Sequence, residues 1–247
     1  MKQQKTLLAL ALLASAVVTG NAQASLIDRG NGLLYDDVLN VTWLQDANYA
    51  HTSGYAGADS TGRMDWTTAK TWAADLVYGG YSDWRLASNS PVNGSSFDYN
   101  YAHDGSTDRS YNITSPHSEL AYMYHVNLGL KSYDDTAGNV QSDSGMFGNG
   151  TYNGVDQSSY GQANVGLVNN LQSYVYWSGS EYAPVPLNAW GFVTGNGYQS
   201  YGSKDSQLYA WAVRPGDVAA VPVPGAFWLF GSGLVGLMGL RRRGSIG

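Results

Sequence analysis

Apolar and aromatic residues alternate with polar ones in the segment GLLYDDVLNVTWLQDANYA. Two apolar runs flank Asp36 and Asp37, and Leu39, Val41 and Trp43 occupy alternate positions. A period of two is typical of strands, because successive side chains point to opposite faces of a sheet. The segment therefore predicts two short strands joined by a tight turn.

A helical spacing replaces this alternation in MDWTTAKTWAADLVYGGYSDWRL. Apolar residues there recur at intervals of three and four, which places them on one face of a helix. They are Ala69, Trp72, Ala73 and Leu76. Gly79 and Gly80 follow as a stop signal. The pattern predicts an amphipathic helix from about Thr67 to Val77.

Helical signals return in SPHSELAYMYHVNLG. Ser115 can cap the helix, Pro116 suits its first position, and Glu119 lies near the positive end of the helix dipole. We expect this second helix to end at Gly129. Its predicted core positions are Leu120, Met123 and Tyr124.

The last third of the chain contains four short aromatic segments separated by Gly and Asn, namely YVYWSGSEY, AWGFVTG, YQSYGSK and QLYAWAVRPG. They predict the strands of an antiparallel meander. The stretches 88–114 and 131–163 lack periodicity and are rich in Asn, Ser, Gly and Asp, which is typical of long loops. Two helices, mainly antiparallel strands and long loops indicate one α+β domain over residues 25–217.

The N-terminal segment has the order of a secretory signal peptide. Lys2 and Lys5 precede an apolar run at 7–18, and small residues, Ala22 and Ala24, follow it. This order predicts that residues 1–24 are removed by cleavage after Ala24. The run of about a dozen apolar residues is short for a membrane span, although an uncleaved anchor is the alternative.

The body between the terminal segments is strongly acidic. Five of the thirteen basic residues and none of the nineteen acidic ones lie in the terminal segments, so residues 25–220 carry eight basic and nineteen acidic side chains, a net charge of −11. This charge argues against nucleic acid as a partner, because phosphates attract basic surfaces. The absence of cysteine excludes thiol nucleophiles, thiolate metal sites and disulfides.

The chain ends in VPVPGAFWLFGSGLVGLMGLRRRGSIG. A helix over 226–240 would be roughly 22 Å long, against a hydrocarbon core of roughly 30 Å. Four glycines lower its helix propensity. We interpret the segment as a label removed during export; the alternatives are a permanent membrane anchor and the last helix of the folded domain.

A series of motifs follows the first segment in order: W-x-x-A from Trp66 to Ala69, GGYSDWRL, SEL, YWSGSEY, NAWGF and YAWAVRP. Over 31–217 the series resembles the bacterial domain of unknown function related to the C-terminal domain of the collagen-like adhesin Lcl. The resemblance implies a C-type-lectin-like fold, with its N- and C-terminal strands paired and two helices beside a loop-rich region. That family continues WRLP directly into the Glu-Leu helix, whereas here Ala87 replaces the proline and residues 88–114 form an insertion.

The C-terminal segment resembles a sorting signal of the PEP-CTERM type, in its VPLPA variant, and covers residues 218–247. The resemblance rests on a short proline motif, an apolar transmembrane helix at 226–240 and a basic cluster, in that order. The motif residues are Val221, Pro222, Val223, Pro224 and Gly225, and the basic cluster is Arg241, Arg242 and Arg243. The resemblance implies that an exosortase, a membrane protease-transpeptidase, recognises and cuts the chain.

Sequence motifs for catalysis are weak. The histidines, His51, His103, His117 and His125, lack metal-binding spacing, and neither a nucleophile elbow nor a phosphate loop stands out. We therefore expect a protein that is not an enzyme and has no catalytic residues.

Binding is the expected activity. Nineteen tyrosines and eight tryptophans can supply flat faces for sugar rings. We expect Tyr99, Tyr101 and Tyr111 of the insertion to be exposed for binding. Most tryptophans are expected in the core, namely Trp43, Trp72, Trp84, Trp177, Trp190 and Trp211. The positions of Arg85 and Glu119 in the motifs of the resemblance imply that they are structural partners.

Oxygen-bearing side chains cluster in the same insertion, namely Asp98, Asn100, Asp104 and Asp108. They add polar groups for sugar hydroxyls and could also bind calcium. Their spacing does not fit an EF-hand, so a solvated polar loop is favoured over a calcium site.

These inferences predict an exported surface or matrix protein that binds polysaccharide or another surface polymer. Its expected partners are an exosortase, the membrane during sorting, and the polymer. The alternatives are a structural matrix protein without a small ligand and, third, a polysaccharide-acting hydrolase.

Overall fold

The computed structural model describes residues 26–142, 144–145 and 162–218, and within them it shows a strand-rich α+β fold. The strands are β1 (Leu26–Gly30), β2 (Leu33–Asp36), β3 (Val41–Leu44), β4 (Arg85–Leu86), β5 (Tyr101–Ala102), β6 (Arg109–Ser110), β7 (Gln162–Val165), β8 (Val168–Gln172), β9 (Val175–Glu181), β10 (Asn188–Val193), β11 (Tyr198–Ser203) and β12 (Ala212–Pro215). The helices are α1 (Tyr49–Thr52), α2 (Trp66–Asp75) and α3 (Glu119–Tyr122), and a π-helical turn, Met123–Asn127, continues α3.

The first sheet brings the two ends of the described body together. Its five strands lie in the order β1-β2-β3-β12-β4, and every neighbouring pair is antiparallel. The pairing of β2 with β3 confirms the predicted hairpin around Asp36. Val213 of β12 lies opposite Trp43 on one side and Arg85 on the other, so β12 is held by hydrogen bonds along both edges.

The second sheet confirms three strands of the predicted meander. It has the order β11-β10-β9, with Trp190 opposite Tyr201 in antiparallel register. The fourth predicted strand was wrong in its placement, because β12 joins the first sheet instead. The indole of Trp211 contacts both sheets, since its Nε1 donates to the Leu44 carbonyl of β3 at 2.7 Å and its ring centroid lies 6.1 Å from that of Tyr176 on β9.

All six tryptophans predicted for the core are buried. The rings of Trp43, on β3, and Trp211, directly before β12, pack with centroids 4.7 Å apart. Trp177 is also fully buried, and its Nε1 donates to the Met64 carbonyl at 3.0 Å. Burial of these large rings supplies much of the hydrophobic stabilisation in a chain without disulfides.

Helix α2 confirms the helix predicted over 67–77 to within two residues. Asp65 caps it by accepting a hydrogen bond from the Thr68 amide at 2.8 Å, and Leu76 ends it in an extended conformation. The second helix begins later than predicted. Its cap position is Ser118 and not Ser115, because residues 115–118 form a separate turn in which the Ser118 amide donates to the Ser115 carbonyl at 3.2 Å, and Ser118 pairs with Asn89 in an antiparallel bridge.

The two long irregular stretches also contain structure that their sequences do not indicate. Strands β5 and β6 form a short parallel pair inside the insertion. Strands β7 and β8 form an antiparallel hairpin that begins in the second stretch. No helix in the described ranges is long and apolar enough to cross a membrane. The predicted signal peptide, residues 1–24, and the sorting motif and helix at 221–243 lie outside the described residues.

Candidate functional site

The insertion is fixed against the second sheet by Asp108. This side chain is fully buried; its Oδ1 accepts from the Val92 amide at 2.9 Å and its Oδ2 from the Asp98 amide at 2.8 Å. The Nε2 of Gln199, on β11, donates to the Asp108 carbonyl at 2.9 Å. Burial raises the pKa of Asp108, although the two amides oppose this shift. The expectation that Asp108 offers a ligand on the surface is corrected, because its carboxylate faces inward and braces the loop.

The other oxygen-bearing side chains of the insertion belong to separate turns. The Oδ1 of Asp98 accepts from the amide and side chain of Asn100 at 3.0 and 2.8 Å. The Oδ1 of Asp104 accepts from the Ser106 hydroxyl at 2.6 Å, and this bond holds the pKa of Asp104 below its usual value. In the part of the chain that the structure describes, no group of three acidic or histidine side chains is placed to hold a metal ion.

Tyrosines from the insertion pack against the edge of the second sheet. Tyr111 forms a bridge with Tyr198 of β11, and their ring centroids lie 4.7 Å apart. Tyr101 lies 5.9 Å from the same ring and is 47% exposed. Two of the tyrosines predicted to bind therefore lie together, and β11 adds a third ring to them.

Tyr99 belongs to a second group of rings farther along the same sheet. It stacks on Phe97 and on Trp190, with centroids 5.9 and 6.2 Å away. Its edge meets Tyr182 at 5.3 Å, and Tyr182 stacks on Tyr201 at 3.8 Å. Tyr99 is thus partly exposed and fixed in orientation by its neighbours.

Arg109 lies between the two groups of rings. Its Nε donates to the Tyr198 hydroxyl at 3.0 Å, and its guanidinium carbon lies 5.5 Å from the Tyr201 ring centre. Burial lowers the pKa of Arg109, but the Tyr198 hydrogen bond and nearby phenols outweigh it, and the net shift is upward. We call the surface around this arginine the tyrosine platform. Its rings are Phe97, Tyr99, Tyr101, Tyr111, Tyr182, Tyr198 and Tyr201.

A shallow hollow of about 490 Å³ adjoins the platform at Phe97 and Tyr99. Its remaining lining is polar and consists of Asn93, Ser96, Asp98 and Asn100. At the opposite end, the His103 Nδ1 lies 2.9 Å from Asp134, and the His103 ring meets the edge of Tyr101 at 4.7 Å. The platform therefore combines flat apolar faces with hydrogen-bonding groups at both ends.

Arg109, Tyr182, Tyr198 and Tyr201 were missed by reasoning from the sequence. The last three lie in predicted strands, where a tyrosine is as well suited to a core as to a surface. Arg109 is directly followed by Ser110 and Tyr111 in a loop without periodicity. The sequence feature that could have indicated Arg109 is a basic residue close to several tyrosines.

His125 lies beside the hydroxyl of Ser132, and a histidine in that position activates the serine nucleophile of some enzymes. The Ser132 Oγ lies 3.5 Å from the His125 Nε2. Ser132 is fully buried, and the same hydroxyl lies 3.3 Å from the Gly197 carbonyl. The Ser132 hydroxyl is buried and also accepts from the Asn112 amide at 3.1 Å, so it is held in main-chain contacts and is not exposed as a nucleophile would be.

Comparisons with protein-family models, curated proteins and solved structures find no match for this chain. The resemblances described from the sequence therefore stay predictions, and function has to be inferred from the geometry of the platform.

Proposed function

We propose that the protein is an exported surface or matrix protein whose body binds polysaccharide through the tyrosine platform. The platform itself carries this proposal. Sugar rings present C–H groups on one face and hydroxyls at their edges, so they pair well with flat aromatic faces next to polar groups. Tyr101 and Tyr198 offer such faces, and the polar hollow at Phe97 and Tyr99 adds hydrogen-bonding groups to the same insertion.

We also propose a C-type-lectin-like fold for the body. Support comes from the pairing of β3 with β12, which joins strands near the two ends of the body, and from α2 and α3, which correspond to the two expected helices. The insertion that carries four of the seven platform rings is a loop-rich segment, and added residues are tolerated most easily in loops.

The sequence of the ends supports a location outside the inner membrane. We propose that residues 1–24 direct export, and that residues 218–247 hold the chain in the membrane until an exosortase cuts near Pro222–Gly225. The acidic body makes nucleic acid an unsuitable ligand.

Affinity electrophoresis tests the binding proposal. The chain is run in native gels that contain one polysaccharide each, and retardation is measured for wild type, Tyr101→Ala and Tyr198→Ala. We expect both variants to lose about tenfold or more in affinity, because each removes a stacking face. Tyr35→Ala is the matched control, since Tyr35 lies on β2, in the first sheet, and is partly exposed. No retardation of the wild-type chain by any polymer would contradict the proposal and favour a structural matrix protein.

A further inference from the structure

The arginines of the described residues follow a pattern that Arg109 breaks. Four of the five form an ion pair with a carboxylate. These pairs are Arg29–Asp217, Arg63–Asp59, Arg85–Glu119 and Arg214–Asp83. No carboxylate of residues 26–142, 144–145 or 162–218 pairs with Arg109. In a body with nineteen acidic and eight basic side chains, an arginine without an acidic partner stands out.

The groups around Arg109 leave its charge uncompensated. Its Nε is used by the Tyr198 hydroxyl, and a guanidinium has further N–H donors beyond that one. The side chains of Tyr198 and Tyr201 flank it, and the acidic residue near Tyr101, Asp134, is already paired with His103. Arg109 is partly exposed, so a ligand can reach it. Aromatic neighbours also exclude water, which strengthens the attraction of the guanidinium for an anion.

We propose that Arg109 binds a carboxylate of the polymer and that the ligand is a polysaccharide containing uronic acids. This inference rests on the proposed function, because it assumes that the tyrosine platform binds sugar. A uronic acid carries its carboxylate directly on the pyranose ring. The ring can therefore lie on Tyr198 while the carboxylate meets the guanidinium beside it.

The chemistry of arginine favours a carboxylate over a neutral hydroxyl. A guanidinium presents paired donors in a plane, and a carboxylate accepts two of them side by side. A neutral sugar would leave the charge without a partner at a partly buried position, which costs free energy. Stacking on the tyrosine platform supplies affinity, and Arg109 makes the platform selective for polymers that carry carboxylates.

Affinity electrophoresis with matched polymers tests this inference. The full-length chain in detergent is run against polygalacturonate, against the same polymer after reduction of its carboxyl groups to alcohols, and against dextran sulfate. We expect the tightest binding to polygalacturonate. Arg109→Gln should weaken that binding by about ten- to a hundredfold and leave binding to the reduced polymer unchanged. Arg109→Lys keeps the charge without the planar donor pair, and we expect it to recover part of the affinity.

Lys70→Gln is the matched control for loss of one positive charge. Lys70 is exposed on α2, where its ammonium lies 4.4 Å from the Trp66 ring, and it is not part of the platform. Equal losses in Lys70→Gln and Arg109→Gln would overturn the inference, because they would reflect net charge alone. Equal binding of the reduced polymer, or tighter binding of dextran sulfate, would also overturn it while the proposed function stands. Failure to bind any of the three polymers would overturn both.

Discussion

His125 is a single side chain whose surroundings make folding sensitive to pH. Its Nδ1 lies 3.1 Å from the Leu130 carbonyl and its Nε2 lies 3.3 Å from the Gly197 carbonyl. A neutral imidazole carries one N–H and can donate to only one of these oxygens. When Nδ1 donates to the Leu130 carbonyl, Nε2 can accept from the Ser132 hydroxyl beside it. Burial lowers the pKa of His125 from its ordinary value of 6.5 to about 4.

Replacement of His125 by glutamine should flatten the stability of the protein against pH. The unfolded ring gains a proton near pH 6.5, whereas the folded ring resists it until about pH 4. The histidine's contribution is therefore complete above pH 6.5 and is lost as the pH falls from 6.5 to 4. We expect the wild-type chain to lose about 2–3 kcal/mol more than His125→Gln between pH 7 and pH 4.5. Urea unfolding at the two pH values measures the difference.

The control for this measurement is His117→Gln. His117 is exposed, so its replacement removes a histidine without changing a buried group. The carboxylates that titrate in the same pH range affect this variant and the wild type equally. A slope in His125→Gln as steep as that of the wild type would show that the His125 ring is protonated equally in both states.

At the scale of elements, one ion pair joins β4 to the start of α3. The Nη1 and Nη2 of Arg85 each donate to an oxygen of Glu119 at 2.7 Å, which confirms the pairing expected from the sequence. The Oε2 of Glu119 also accepts from the Ser88 amide at 2.7 Å. The carboxylate therefore fixes both sides of the junction where the insertion leaves the fold.

Glu119→Gln tests how much this junction contributes to the free energy of unfolding. The neutral amide can accept at one atom only, so at least one N–H of Arg85 loses its acceptor and the ion pair is lost. We expect the free energy of unfolding to fall by about 1–3 kcal/mol. Glu181→Gln is the matched control, because Glu181 pairs with Lys204 on the surface and should cost less than about 1 kcal/mol. Urea denaturation of both variants decides the matter, and equal losses would mean that the junction is no stronger than a surface pair.

The elements differ in how far their own residues predict them. Helix α2 and the hairpin of β2 and β3 are set by local periodicity and caps, so their residues alone reveal them. The docking of the insertion on β11 depends on contacts such as Gln199 with Asp108, which are 91 residues apart. Asp98, Asp104 and Asp108 look alike in a polar loop, and nothing local indicates that only Asp108 faces inward. Arg109 was missed for the same reason, because its tyrosine partners on β11 come from another part of the chain.

At the scale of the whole molecule, the two larger sheets of the described residues and one loop account for the core and for the proposed binding surface. The first sheet ties the beginning of the described body to its end, and buried tryptophans contribute to the core. The insertion lies on the β11 edge of the second sheet. The platform is thus built on rigid strands, and its loop half is locked from below by Asp108. Such a surface needs little rearrangement to bind an extended polymer, which reduces the entropic cost of binding.

The position of β12 makes a last prediction about the body as a whole. Strand β12 lies between β3 and β4, so its loss would leave Trp43 and Arg85 without their partner Val213 and expose both neighbouring strands. A chain that stops after Trp211 should therefore fail to unfold cooperatively on heating. A chain that stops after Ala220 keeps β12 and the contact of Arg29 with Asp217, and we expect it to melt within a few degrees of the full-length chain in the same detergent.

This comparison bears directly on the proposed processing, because an exosortase cut near Pro222–Gly225 must leave a stable body behind. Intact mass of the protein recovered from the cell surface gives the natural end point. A mature chain that still contains residues 241–247 would contradict processing. A chain ending after Ala220 that melts far below the full-length chain would show that the C-terminal segment belongs to the folded domain.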